Sequence, residues 1–440
     1  MKTPDHSGAH LWEKAKRLIP GGGQLLSKKP ENFLPGLWPA YYARAKGCEV
    51  WDLDQQHYYD FACLGVGTCV LGYADDDVNA AVHAAVDQGS MCTLNCAEEV
   101  ELAERLVGLH PWADMARFAR TGGEACAIAV RIARAATGRD TVAFCGYHGW
   151  SDWYIASNLA DESNLDGQLL PGLEPTGVPR GLQGSAIPFT YNRLDELEAL
   201  VAEQGDEIGV IIMEPRRSQD PEPGFLPGVR AIADRIGAVL IFDEVTSGFR
   251  QNLGGFHLLT GVEPDMAVFG KALGNGYPIS AVIGRHAVMD AAQDTFISST
   301  LWTERIGYVA ALATLDKMEK HDVPRHLTAW GEKLNAGWKA LSASTGMPLH
   351  SQGIPALTVI TFDRGDPLAA QTFYAQEMLK AGYLVCPAVY TCFAYTDEIV
   401  DTFLRDSEPV FAALKKHVED DTLDAALPYG VRHGGFKRLS

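Results

Sequence analysis

Three apolar runs of this chain each end on a residue equipped for chemistry. Ala238-Val239-Leu240-Ile241-Phe242 delivers Asp243, Met266-Ala267-Val268-Phe269-Gly270 delivers Lys271, and Val210-Ile211-Ile212-Met213 delivers Glu214. Short apolar runs rich in β-branched residues and bounded by Gly and Pro read as buried strands of a parallel sheet. Ligands of open α/β sheets bind at the carboxyl ends of such strands. An acid and a lysine held there suit pyridoxal phosphate (PLP): the lysine forms a Schiff base, and the acid pairs with the pyridinium nitrogen. Lys271 and Asp243 are therefore the expected catalytic residues. Singly, each has a plainer explanation. A lysine after a strand is usually a surface residue, and an Asp there is as often bonded to backbone N–H groups. Yet a carboxylate after an apolar run is costly to bury unpaired, and a pyridinium partner removes that cost.

The other needs of such a cofactor have candidates nearby. Thr121-Gly122-Gly123 precedes a helix expected over 125–136. Glycines allow close backbone approach and a helix N-terminus attracts an anion, so a phosphate fits there. Alone, a Gly-Gly pair before a helix is more often a tight turn. Tyr147 follows a strand expected over 141–145 and is placed to stack on a pyridine ring, with His148 beside it; an aromatic at a strand end is otherwise core. Glu214, before Pro215, is either a strand terminator or a supporting acid. Thr246 shares the turn of Asp243 and is counted among the cofactor contacts. The weight lies in the conjunction of phosphate turn, aromatic, acid and lysine, in this order and all at strand ends. A nucleotide-binding reading fails, because the Gly-rich turn has neither a P-loop Lys-Ser/Thr nor a GxGxxG.

These residues need a sheet to hold them. From about 117 to 290 strands and helices alternate, as in a mostly parallel sheet with crossover helices. Helices are expected over 10–18 and 75–104, and a strand pair over 41–54. The stretch 156–188 is rich in Gly, Pro and acidic residues without a clear period, and is expected as a long functional loop that closes over the site. Beyond 310 the chain turns helical, with shorter strands over 355–362 and 383–387 and a surface tail over 427–440. The expected division is an N-terminal segment (1–70) belonging to a small domain, a large PLP-binding domain (71–318) and a C-terminal small domain (319–440).

At 440 residues the chain exceeds the usual size of one domain. A formal net charge of −19 opposes non-specific binding to nucleic acid or anionic membrane. No apolar stretch is long enough to cross a membrane and the first residues lack an apolar signal segment, so a cytoplasmic protein is expected. Nine cysteines without a CxxC pair favour reduced thiols over disulfides, and no metal site is expected.

The segment Ile241-Phe242-Asp243-Glu244-Val245-Thr246-Ser247-Gly248-Phe249-Arg250, with Lys271 downstream, resembles the signature of class III, fold type I PLP-dependent aminotransferases, in particular the glutamate-1-semialdehyde 2,1-aminomutase-like branch. Pro20-Gly21-Gly22, Ala45-Lys46-Gly47, Trp51-Asp52-Leu53-Asp54, Gly122-Gly123-Glu124-Ala125, Tyr147-His148-Gly149 and Glu214-Pro215 support it, over about 12–418. The resemblance implies an α/β fold: a large domain with a mainly parallel, seven-stranded-type sheet, and a small α+β domain from both termini. It implies that Lys271 is the Schiff-base lysine and Asp243 the pyridinium partner. Val245 would pack on the ring face opposite Tyr147, and Gly122 and Gly123 would hold the phosphate. Thr300 would reach the phosphate of the neighbouring subunit in an obligate homodimer.

Departures from the family pattern bear on the substrate. After Pro20-Gly21-Gly22, where the aminomutases carry an Asn-Ser-Pro-type stretch and an arginine, this chain reads Gly23-Gln24-Leu25-Leu26-Ser27-Lys28-Lys29. Thr-Gly-Gly replaces Ser-Gly-Thr at the phosphate turn, and Arg216-Arg217 follows Glu214-Pro215. The segment after Thr300 (Trp302-Thr303-Glu304-Arg305) replaces a Ser-Gly-Asn-Pro stretch. The expected activity is transfer of an amino group from a small donor onto a small carbonyl compound. A keto sugar or keto acid is suggested, since 147–154 resembles a subgroup among bacterial surface-polysaccharide enzymes. Lys28, Lys29, Arg216 and Arg217 are the candidate contacts for a substrate anion; the plainer reading makes them surface charges. The alternatives are an intramolecular aminomutase, a racemase or decarboxylase, and a non-catalytic binding protein, which would be expected to lack Lys271 or Asp243.

Overall fold

The structure is a computed structural model describing residues 6–168, 171–216 and 218–434. It divides into two compact units, Asp76–Arg325 and the combination of Met1–Asp75 with His326–Ser440. In chain order the strands begin with β1 (Tyr42–Lys46), β2 (Glu49–Asp52) and β3 (His57–Phe61), an antiparallel set in the terminal unit. The central unit contributes β4 (Met115–Ala119), β5 (Thr141–Cys145), β6 (Ala186–Pro188), β7 (Ile208–Met213), β8 (Val239–Asp243), β9 (Met266–Phe269) and β10 (Ser280–Gly284). These form one seven-stranded sheet in the order β4-β10-β9-β8-β7-β5-β6.

The strands from β9 to β6 run parallel, and β10 is antiparallel to both β9 and β4. Two reversals restore direction, so β4 points the same way as the parallel set. Its carboxyl end therefore lies on the same edge as theirs. Val142 and Phe144 of β5 face one core, and Ala143 and Cys145 the other; in β8, Ile241 opposes Leu240 and Phe242 in the same manner. Both faces are covered, which is why these strands read as unbroken apolar runs rather than alternating ones.

In the terminal unit β11 (Leu349–Ile354), β12 (Leu357–Phe362) and a later strand form an antiparallel sheet, while β13 (Tyr383–Val385) joins β3 in parallel. The later strand is β14 (Ala388–Tyr390), paired with β12.

Some expectations need correction. The helical stretch over 75–104 is two helices, Asp76–Gln88 and Ala97–Leu109, the first ending before Gly89 at φ +101°. The helix expected over 125–136 is Gly122–Thr137 and starts inside the proposed phosphate turn. The 156–188 stretch carries short helical turns and β6. It is also tied down: buried Asn158 donates to the Leu173 carbonyl at 2.7 Å and accepts from the Leu165 amide at 2.9 Å. The surface tail is pinned as far as it is described. Arg432 donates through Nε to the Asn32 carbonyl at 2.8 Å and through Nη1 to Gln371 Oε1 at 3.0 Å. Periodicity could not show these anchors, because each is a single polar contact made at long sequence range. Among the described residues no helix is long and apolar enough to cross a membrane.

Candidate active site

The carboxyl edge of the sheet gathers what the strand ends deliver. β5 leads to Tyr147 and His148, β7 to Glu214, β8 to Asp243, β9 through Gly270 to Lys271, and β4 to Thr121. Asp243 is almost wholly buried, at 3% exposure. Its Oδ2 accepts from His148 Nδ1 at 2.8 Å and from the Cys126 thiol at 3.3 Å, and its Oδ1 accepts from the Val245 amide at 3.0 Å. Burial alone would raise its pKa. The hydrogen bond and charge of His148, with the Val245 and Cys126 donors, outweigh burial and hold it below the usual carboxylate range. The group at the end of β8 is thus a buried carboxylate kept ionised.

Lys271 sits at φ +41°, a left-handed conformation that a non-glycine residue holds only under constraint from its surroundings. Its Nζ donates to Thr246 Oγ1 at 2.8 Å. Glu214 is a supporting acid: its Oε2 accepts from the Tyr147 amide at 3.1 Å, and its own amide donates to the Cys145 carbonyl at 3.1 Å. Gly146, at φ +113°, permits this turn, since a Cβ there would fall 2.8 Å from Glu214 Oε2. Tyr147 remains partly exposed, with Tyr154 edge-on to its ring at 6.1 Å.

Thr121 caps the helix Gly122–Thr137 in a capping box with Glu124, whose Oε2 accepts from the Thr121 amide at 2.9 Å. The amides of Gly122 and Gly123 stand in the first turn, where a helix offers no acceptor of its own. A Cβ on Gly122 would lie 2.9 Å from Val245 Cγ1. Val245 also lies against Gly270, so it stands between the acid, the lysine and the helix start.

A second buried network escaped the sequence reading. Glu244 Oε1 accepts from the His257 amide at 2.9 Å and meets His257 Nδ1 at 2.8 Å, while Ser247 Oγ donates to Oε2. His257 Nε2 accepts from Trp112 Nε1 at 2.9 Å, so Nδ1 carries the hydrogen that Glu244 receives. These bonds hold Glu244 below its ordinary pKa although burial opposes them. The network clamps the residue after Asp243 from the opposite face of the sheet. The only signal for it in the sequence was the acid pair Asp243-Glu244; Ser247 is three positions on, but His257 and Trp112 lie 13 and 132 positions away from Glu244.

Arg216, one of the expected substrate contacts, follows Glu214 and Pro215 beyond β7. Arg216 is committed within the protein, Nη1 donating to Gln251 Oε1 at 3.0 Å and Nη2 pairing with Asp220. Arg217 lies outside the described residues. Lys28 and Lys29 belong to the terminal unit. Thr300 opens a short exposed turn, Thr300–Thr303.

The class-III aminotransferase family model matches residues 36–388. The chain belongs to the class-III aminotransferases. It is 34% identical over 420 residues to the 3-aminobutyryl-CoA aminotransferase of Cloacimonas acidaminovorans (strain Evry), covering 92% of this chain and 97% of that one. It is also 34% identical over 437 residues to the glutamate-1-semialdehyde 2,1-aminomutase of Syntrophobacter fumaroxidans (strain DSM 10017 / MPOB), covering 94% and 99%. The FumI protein of Sphingopyxis sp. MTA144, solved in a PLP form, superposes with a TM-score of 0.84 at 30% identity, covering 93% and 97%.

This class-III chain is a PLP-dependent enzyme of fold type I, an aminotransferase or aminomutase. Its own residues fit PLP. Among the described residues Oδ1 of Asp243 serves one donor where a carboxylate oxygen has room for two, leaving a place for a protonated pyridine nitrogen. Against Val245, the position of Gly122 leaves no room for a Cβ, so its backbone at the helix start stays open to close approach by an anion.

Proposed function

We propose that this chain is an aminotransferase that moves an amino group from a small donor onto a small carbonyl substrate, a keto sugar or keto acid. One observation carries the reading: the ionised Asp243 and the constrained Lys271 stand at the ends of paired strands, Asp243 being the register partner of Val268, three residues before Lys271. When bound, PLP supplies an electron sink. Lys271 would hold the cofactor and then carry the proton taken from the amine-bearing carbon of the substrate. Asp243, oriented by His148, would keep a proton on the pyridine nitrogen. Tyr147, braced by Glu214, and Val245 would flank the ring, and Thr246 would place the Lys271 amine. Thr121, Gly122 and Gly123 would receive the phosphate at the helix start.

The reading includes a cytoplasmic homodimer in which Thr300 reaches the partner's phosphate. Leu94 (78% exposed), Leu301 (64%) and Phe296 (87%) are large apolar side chains left in water on the central unit. Thr303 Oγ1 donates to Met91 Sδ at 3.6 Å, which joins two of these segments into one surface. A cavity of about 370 Å³ shares Thr303 with this surface and is lined by apolar Val100, Phe118 and Trp302 together with charged Glu99 and Arg117. The exposed Leu94, Phe296 and Leu301 side chains suit a second copy. For the substrate anion, Lys28, Lys29, Arg216 and Arg217 remain the proposed contacts, with Arg216 having to exchange Asp220 for the ligand. Charge reversal that left all four Michaelis constants unchanged would remove that part.

The test is the visible spectrum of PLP-loaded protein during addition of L-glutamate, with Lys271→Ala as control. Wild type should show a visible band that the variant lacks, and the band should bleach as the amino group passes to the cofactor. No band in wild type would overturn the roles given to Lys271 and Asp243. The aminomutase relative favours a second reading, transfer within one substrate. A band indifferent to every external amino donor would support it.

A further inference from the structure

The two oxygens of Asp243 are unequally served. Oδ2 takes two donors, His148 Nδ1 at 2.8 Å and Cys126 Sγ at 3.3 Å, whereas Oδ1 takes only the Val245 amide at 3.0 Å among the described residues. Cys126 lies 117 positions from Asp243, one turn into the helix whose first residues are Gly122 and Gly123. The helix that offers amides at the phosphate end therefore also offers a thiol at the pyridine end. The Cys126 sulfur, a ring nitrogen of His148 and a carboxylate oxygen of Asp243 fall within 4.8 Å of one another, and all three residues are buried.

We propose that Cys126 is a positioning residue for the transfer reaction: its thiol, with His148, saturates Oδ2 of Asp243 and so turns Oδ1 toward the pyridine nitrogen. The inference rests on the reading of Asp243 as the partner of that nitrogen. A carboxylate free to rotate about its last bond presents either oxygen, and a single donor does not distinguish the oxygens if the ring shifts. Two donors from different elements, one on the helix and one after β5, leave one orientation. Burial, reinforced by the charge of Asp243, pushes the thiol well above its ordinary pKa, so that it stays a donor rather than a competing anion. A thiol that merely filled space would be met equally well by any small apolar side chain. One that orients Asp243 needs a hydrogen to give.

That difference sets the experiment. Apoprotein of wild type, Cys126→Ala, Cys126→Ser and Asp243→Asn is titrated with PLP, and the dissociation constant and the pH midpoint of the visible band are measured, with the pyridine ¹⁵N shift of labelled PLP. Loss of one hydrogen bond to a charged group predicts PLP binding weaker by about 10-fold in the Ala variant. The band midpoint and the ¹⁵N shift should also move toward those of Asp243→Asn. The Ser variant, which keeps a donor, should return all three to near wild type. Wild-type values in Cys126→Ala overturn the proposal, and so does a Ser variant that behaves as Ala does. If Asp243→Asn also matches wild type, the assignment of Asp243 falls with it; if only the Cys126 variants do, that assignment stands.

Discussion

The amine of Lys271 reaches the hydroxyl of Thr246 across 2.8 Å, though the two residues are 25 positions apart. Thr246 lies in the turn after β8, Lys271 just beyond β9, and the pairing of these strands brings them together. The left-handed backbone at Lys271, φ +41°, belongs to the same arrangement. Strain of this kind persists where the surroundings over-determine a conformation, as at a working site.

Thr246→Val keeps the shape and removes the acceptor. A neutral hydrogen bond is worth about 1 kcal/mol, so kcat should fall roughly 3- to 10-fold with the visible band intact. An unchanged kcat would mean that Lys271 does not need this hydroxyl.

Gly122→Ala places a methyl 2.9 Å from Val245 Cγ1, at the helix start proposed to hold the phosphate. Overpacking of this kind costs about 1–3 kcal/mol, so PLP should bind roughly 10-fold or more weakly. Wild-type affinity in a spectroscopic PLP titration would move the phosphate elsewhere.

His110 supplies a pH dependence. Burial lowers its pKa from 6.5 to about 4, against the hydrogen bond to the Leu106 carbonyl, which raises it. Because Nε2 accepts from the Gly255 amide at 3.0 Å, the ring is neutral and its Nδ1 hydrogen goes to Leu106. The folded chain resists a proton that the unfolded chain takes up. Its contribution to stability is whole above pH 6.5 and drains away as pH falls toward about 4, by up to roughly 3 kcal/mol. Denaturant unfolding of wild type and His110→Gln across this range should show the variant losing less stability; parallel curves would contradict the account.

Leu301→Glu introduces a charge into the exposed apolar surface proposed to meet a second copy. Sedimentation should show a wild-type dimer and a variant shifted toward monomer, with PLP-dependent activity lost in proportion. A monomeric, active wild type would remove Thr300 from the site.

Sequence and fold divided the labour along a clear line. Asp243, Lys271, Glu214 and Tyr147 were legible because each follows a strand whose two buried faces make an unbroken apolar run, and a strand end is a local property. The Gly122-Gly123 turn was legible for a similar reason, although its helix begins three residues earlier than its apolar face suggests. The class followed from motifs spread along the chain. Cys126, the anchors of 156–188, and the Glu244–His257–Trp112 network left no such trace. Cys126 looked like one more small core residue of a helix, and only the packing of that helix on the sheet set its thiol 3.3 Å from Asp243. The charge of Arg216 was visible in the sequence, whereas its contacts with Asp220 and Gln251 came only with the fold. Local patterning thus decided which residues reach the carboxyl edge, because a strand's hydrophobic period is written in consecutive positions. Tertiary structure decided which donors meet which acceptors there, because a hydrogen bond depends on a few tenths of an ångström between atoms that the chain separates by anything from 25 residues (Thr246 and Lys271) to 117 (Cys126 and Asp243).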